Sequence, residues 1–319
     1  MSKSRGRSPV VVGISMVRNE ADIIRVNIQH HLSMGVDRMI IVDNGSSDGT
    51  DQVLKEMSRG GRVSWTRDDS PFRQAEMTTR LARQAYHEGA DWVLPIDADE
   101  FWYAPRGNFK GVLARSEAVA IKVQVVTFIQ RRSQRESSGD ALLHMTWRVA
   151  APVGPVERVP EMVQSKQIAL VEAAGPAKWI SRPTPEIEIW AGNHHLSGIV
   201  GGLEDTEEIV CLHAPLRSRA ALDAKAVHGR RVEEAGFKGG DAFHVRRFRR
   251  LQDEGQLDLE WAANSCQDGS LDVYGTPHPM VFDPTLRNLL MPYLAPAPLR
   301  LLAGLRLSLL RLRSAYLLE

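Results

Sequence analysis

Over its first hundred residues the chain alternates short apolar runs with segments of helical period, a pattern that restricts it to βαβ units around a parallel sheet. Val10 to Met16 reads as the first strand. Asn19-Glu20 then opens a helix with Ile24, Ile28 and Leu32 on one face, and Gly35 is placed to end it. Arg38 to Val42 is the second strand, followed by the polar turn Asp43 to Thr50, where Thr50 is placed to cap a helix carrying Val53, Leu54 and Met57. Ser70-Pro71 reads as the cap and first residue of a third helix running to Gly89. With 319 residues, 43% hydrophobic and 25% charged, the chain can bury one large core or two modest ones.

The next apolar run, Trp92 to Ile96, ends in Asp97-Ala98-Asp99-Glu100 and returns to the aromatics Phe101-Trp102. Ligands of open parallel sheets bind beyond the carboxyl ends of buried strands, so these acids fall where a site belongs. Strand alternation puts Asp97 and Asp99 on one face and Ala98 on the other. Two close carboxylates repel unless a cation neutralises them, which suits a hard oxygen site for Mg²⁺ or Mn²⁺. The bland alternative is an acidic turn at a strand end.

Beyond Ala104 the rhythm loosens. Ala118 to Ile129 and Gln167 to Glu172 read as strands, Pro183 and Pro185 mark a turn, and Ser218 to Glu234 reads as a helix. The tail from Pro298 to Glu319 sets Leu301, Leu305, Leu309, Leu312 and Tyr316 at helical spacing among arginines. It suits either an anionic membrane surface or packing on its own domain or a twin subunit. The formal charge of +1 argues against a general nucleic-acid partner. Cys211 and Cys266 alone give no disulfide framework and fit a reducing compartment, so a cytoplasmic location is expected, peripheral on the membrane if the tail binds there.

Three motifs in order resemble family 2 glycosyltransferases: Met16 to Glu20 after the first strand, Val42 to Thr50 after the second, and Asp97 to Phe101. Lys178 to Pro183 followed by His194-His195, and His213 to Ser218 with Lys225, are similar to an extended branch that includes family 92. Ala214 departs from the aromatic usual after that histidine. The resemblance implies an α/β GT-A fold, a doubly wound, mostly parallel sheet with an irregular acceptor-side half and a helical C-terminal region. The corresponding divisions are 9–105 for the nucleotide-sugar half, 106–230 for the acceptor-side half and 231–319 for the extension.

The same resemblance implies a metal-dependent inverting enzyme that moves a sugar from a UDP- or GDP-sugar to a glycan, lipid-linked or protein acceptor. Asp99 is then the principal Mn²⁺ or Mg²⁺ ligand, Asp97 contacts ribose or metal, and His213 supplies a third ligand. Glu100 supports the ligands, serves the acceptor side or holds the loop. Asp43 meets the nucleotide base or ribose, or caps the Gly45 turn. Asn19 and Glu20 are placed for ribose or as helix caps, and Gln74 for the donor pocket. Arg217 is a phosphate clamp, with Lys225 beside it on the donor side. Glu157, Glu161, Glu204 and Asp205 are all open as the acceptor base, and His195 rivals His213. A nucleotidyltransferase lacks its early Gly-rich phosphate loop in this sequence, and a binding module has little need of the full acidic cluster.

Overall fold

The computed structural model describes residues 7–154, 156–236 and 242–294. The leucine-rich tail, with the membrane or dimer contact expected of it, lies outside them. The described residues divide into two units interleaved along the chain, one from 7–124 with 177–211 and one from 125–176 with 212–294.

The first unit opens with β1 (Val11–Val17), α1 (Ile24–Ser33), β2 (Arg38–Asp43), α2 (Thr50–Ser58), β3 (Val63–Arg67), α3 (Gln74–His87) and β4 (Trp92–Pro95). Its sheet has the parallel order β4-β1-β2-β3. Val12, Ile14, Ile40, Val42 and Val93 pack against Met77, Leu81, Ala82 and Ala85 of α3, so the strands are apolar on both faces and α3 covers one of them. After β4 come β5 (Glu100–Tyr103), α4 (Phe109–Leu113), capped by the Asn108 side chain, and β6 (Ala120–Ile129). Short strand β7 (Trp147–Arg148) and helix α5 (Val159–Gln164) belong to the second unit. Then β8 (Lys178–Ser181) joins the first unit's sheet antiparallel to β4 and to the opening half of β6. A hairpin of β9 (Glu188–Ile189) and β10 (Leu196–Ser197) follows, and then β11 (Leu203–His213).

In the second unit, α6 (Arg219–Glu234) and α7 (Phe243–Asp253) form a hairpin, continued by α8 (Leu257–Ala263) and a three-stranded antiparallel sheet from residues 266 to 279. Leu222 and Ala226 of α6 share a core with Phe248, Trp261 and Leu271. Gly229 lets the two helices meet, because a Cβ there would stand 2.2 Å from the Val245 carbonyl oxygen. Among the described residues no helix is long and apolar enough to cross a membrane.

Four local expectations are corrected. Helix α2 is capped by Gly49, at φ 97°, because the Thr50 hydroxyl is spent on Asp48 and the Glu20 amide. Helix α3 begins at Gln74, since the Asp68 carboxylate and the Asn44 amide hold Ser70 in a loop. Residues 97–99 form a turn, closed by the Glu100 amide donating to the Asp97 carbonyl, so strand alternation does not set their faces. Leu170–Glu172 is a 3-10 turn, held by the Ala169 amide donating to the Glu172 carboxylate.

Candidate functional site

The loops at the carboxyl ends of β1 and β2 are built into one framework with the end of β3. The Asn44 amide donates to the Val17 carbonyl and the Asp68 amide to the Asp43 carbonyl, so the β1, β2 and β3 ends are laced together. Asn19, in the left-handed region at φ 54°, receives the Ser47 amide on its Oδ1, and its own amide donates to the Ser46 hydroxyl. Glu20 starts α1 with its carbonyl and places its amide on Thr50 Oγ1. Asp43 is fully buried: Oδ1 takes both the amide and the hydroxyl of Ser46. Its Oδ2 has the Arg67 guanidinium at 3.5 Å and no hydrogen-bond partner. A buried acceptor left in this state carries a desolvation cost that an arriving N–H or O–H donor relieves.

The acidic loop is held from below by α1. Asn27 Nδ2 donates to the carbonyls of Ala98 at 3.0 Å and Glu100 at 2.8 Å. Just beyond, His31 Nδ1–H donates to the Asn27 carbonyl, which leaves Nε2 to accept the Trp102 amide at 3.1 Å. His30 Nε2 donates to the Trp102 carbonyl at 2.7 Å. Burial drives His30 down to about 4, against the raising effect of that carbonyl. It drives His31 well below the usual histidine range, and the neighbouring His30 adds to the effect. Both rings are therefore neutral struts that fix β5 and the loop before it.

Above the loop lies a buried ammonium that the sequence reading did not assign. Lys178 Nζ stands 2.7 Å from Asp97 Oδ2, 2.8 Å from Glu100 Oε1 and 2.7 Å from the Gly192 carbonyl. Burial alone would pull this ammonium down, but the charges of Asp97 and Glu100 outweigh it and hold it above the ordinary lysine range. Asp97 Oδ1 accepts from Asn193 Nδ2 at 3.0 Å and more distantly from Gln74 Nε2 at 3.4 Å. Gln74 Oε1 receives the Gly192 amide, so the turn at Gly192-Asn193, both with positive φ, is tied to the first turn of α3. Glu100 is buried and holds the loop, with Oε2 at 3.3 Å from both the Asp97 amide and Trp102 Nε1. Asp99 is also buried, at 8% exposure. Burial pushes the Cys211 thiol up and the nearby carboxylates add to this, so it is no nucleophile.

The structure thus gathers Gln74, Asp97 and Glu100 into one cluster, and Asn19, Glu20 and Asp43 into an adjoining loop framework. Of the other expected residues, His213, Arg217 and Lys225 belong to the second unit. His213 ends β11 half-buried, and Arg217 is buried with its carbonyl accepting Gln130 Nε2 at 2.9 Å. Ser218 caps α6 by accepting the Ala221 amide, and Lys225 follows two turns later, half-buried. The rival His195 is exposed, with its ring edge-on to Trp190 at 6.1 Å. Among the described residues no three His, Cys, Asp or Glu side chains form a group able to hold a metal ion. Mg²⁺ and ions like it are commonly held by one or two carboxylates plus substrate phosphates, a mode that needs no group of three protein ligands.

Residues 14–130 match the family model described as Glycosyl transferase family 2. A glycosyltransferase family 92 protein of Oryza sativa subsp. japonica is 38% identical over 96 residues, covering 30% of this chain and 16% of that protein. A family 92 protein of Ricinus communis is 31% identical over 104 residues, covering 32% and 18%. The matched stretch is thus a small part of these curated relatives. Among solved structures, the mannosyltransferase PcManGT from Pyrobaculum calidifontis in complex with GDP-Man and Mn²⁺ is similar at 16% identity and TM-score 0.39, covering 84% of this chain and 78% of that one. S. aureus TarS 1-349 in complex with UDP-GlcNAc is similar at 9% identity and TM-score 0.38, covering 80% of each chain.

Proposed function

We propose, for a chain whose residues 14–130 belong to glycosyl transferase family 2 with a family 92-like branch, that it transfers a sugar from a nucleoside diphosphate sugar to a hydroxyl acceptor. The observation that carries this reading is the coincidence of the family segment with the loops that follow β1, β2 and β4, one opening at Asp43 and one formed by the Asp97 to Glu100 turn.

In this reading Asp43 Oδ2 accepts a donor N–H or O–H from the nucleoside, the Asn19 and Glu20 loop borders the ribose, and Gln74 keeps Asp97 in place. Asp99 holds the divalent ion, which when bound supplies positive charge to the departing diphosphate without proton transfer. The family implies inversion, in which the acceptor oxygen bonds to the anomeric carbon opposite the breaking bond to the diphosphate. Its proton passes to a carboxylate base.

The test is nucleotide release from UDP- and GDP-sugars with Mn²⁺ and a panel of hydroxyl acceptors, with the product anomer read by NMR. Free nucleoside diphosphate is expected. Pyrophosphate would identify a nucleotidyltransferase, and binding without turnover a recognition module. Asp99→Asn is expected to lower turnover at least about a hundredfold, the scale of a lost charge-stabilising group, with unchanged melting temperature. An active Asp99→Asn protein sinks the assignment.

A further inference from the structure

The hairpin of β9 and β10 carries an exposed tryptophan that neither the core nor the donor loops use. We propose, resting on the transfer reading above, that the outer face of this hairpin is a platform for one pyranose ring of a saccharide acceptor. Trp190 is its stacking residue, and the acceptor class is then a glycan.

Alternation along the hairpin turns Ile189 into a core shared with Leu81 and Ala85 of α3, and leaves Glu188 and Trp190 outside, Trp190 at 57% exposure. The Trp190 amide donates to the His195 carbonyl, and the His195 ring stands edge-on to the indole at 6.1 Å. Ser197 lies opposite Glu188, and its hydroxyl donates to Glu188 Oε2 at 3.0 Å. An aromatic face is thus bordered by a carboxylate and a hydroxyl. A pyranose matches both parts, with a face of C–H groups suited to the negative face of the indole and a rim of hydroxyls that donate and accept. The backbone beneath the ring is fixed. Thr79 Oγ1 takes the Ile189 amide, the Asn193 amide donates to the Trp190 carbonyl, and Gln74 holds the Gly192 amide. A platform set before binding loses little freedom when a ring lands on it.

Its place suits an acceptor. Trp190 opens the four-residue turn closed by Asn193, so their Cα atoms lie within about 7 Å, and Asn193 bonds Asp97. In the sheet, β1 separates β2, which ends in Asp43, from β4. A donor laid from Asp43 toward the turn after β4 therefore carries its sugar toward the hairpin. A protein partner needs about 800 Å² per side, whereas a tryptophan side chain offers at most about 250 Å², and the residues around this one are polar. The Glu188 carboxylate opposes an anionic membrane surface.

The test follows the Trp190 indole N–H signal of the full chain by NMR, assigned by its loss in Trp190→Phe. Cellotetraose, chitotetraose, mannotetraose and galactotetraose are titrated in without nucleotide, and at least one is expected to move that signal. By calorimetry, Trp190→Ala should bind that saccharide about tenfold more weakly or worse, the scale of a lost aromatic anchor. Its melting temperature should not change, because the ring is exposed. Trp190→Tyr, which keeps an aromatic face, should stay within about threefold of wild type. Four saccharides that leave the signal unmoved overturn the proposal, as does a Trp190→Ala protein that binds equally well. A signal that moves only with phosphatidylglycerol vesicles, or only with protein concentration, overturns it in favour of a lipid surface or a second copy. Nucleotide release separates the premise from the platform. Saccharide bound at Trp190 with no nucleoside diphosphate released from any sugar nucleotide sinks the transfer reading and leaves the platform. Release with an acceptor KM unchanged in Trp190→Ala sinks the platform and leaves transfer.

Discussion

Lowering the pH from neutrality should destabilise this protein through two buried histidines before its carboxylates titrate. His30 is neutral in the folded state down to about 4, whereas in the unfolded chain it takes a proton near 6.5. Between those values the unfolded state binds the extra proton, so stability is greatest above 6.5 and falls as the pH drops toward 4. At 1.36 kcal/mol per pH unit, the interval from 6.5 to about 4 amounts to about 3 kcal/mol from His30 alone. His31 acts in the same direction, because protonating its Nε2 would set two N–H groups against each other at the Trp102 amide. The assay is urea unfolding at pH 7.5, 6.5, 5.5 and 4.5 for wild type and for His30→Gln, whose amide can still donate to the Trp102 carbonyl. The difference between the two proteins should shift by about 2 to 3 kcal/mol over that range, in favour of the variant as the pH falls. Parallel pH profiles would refute the account of His30 as a neutral strut.

Two further substitutions test the second unit. Gly229→Ala would place a methyl 2.2 Å from the Val245 carbonyl oxygen and should cost about 3 kcal/mol by forcing α6 and α7 apart, measured by denaturant unfolding; a loss below about 0.5 kcal/mol would contradict the close approach. Glu260 receives Arg247 at 2.8 and 3.1 Å and the Tyr274 hydroxyl at 2.5 Å, all among buried or half-buried groups. Glu260→Ala should cost about 3 to 5 kcal/mol by stranding the guanidinium, and Arg247→Met in the same protein should recover most of it in the same assay.

What could be read from the sequence follows how local each signal is. β1, β2 and β4 were legible because a strand buried on both faces needs an unbroken apolar run. β3 was not, because Ser64, Thr66 and Arg67 lie on the exposed edge of the sheet and leave only Val63 buried. The aspartates stood out because they interrupt such a run. Lys178 and Asn193 did not, since they reach Asp97 from 81 and 96 residues away. A usable signal was nevertheless present. A lysine opening the apolar run Trp179-Ile180 is hard to bury without a carboxylate partner, so it announces an ion pair, though not which acid completes it.

The same helix explains why the scaffold and the site should fail together. Asn27, His30 and His31 lie within five consecutive residues of α1, and between them they hold the carbonyls of Ala98, Glu100 and Trp102 and the amide of Trp102. The backbone of the acidic turn is therefore fixed by one helix face, while its side chains are fixed by Lys178, Asn193 and Gln74. A site that stabilises developing charge depends on groups held in place before the reaction begins. Protonating the histidine struts would loosen that backbone without touching a group that contacts substrate. Activity lost between pH 6.5 and 4 should accordingly be shifted to lower pH by His30→Gln, a residue outside the donor pocket, if the scaffold rather than the reacting groups sets the acid limb.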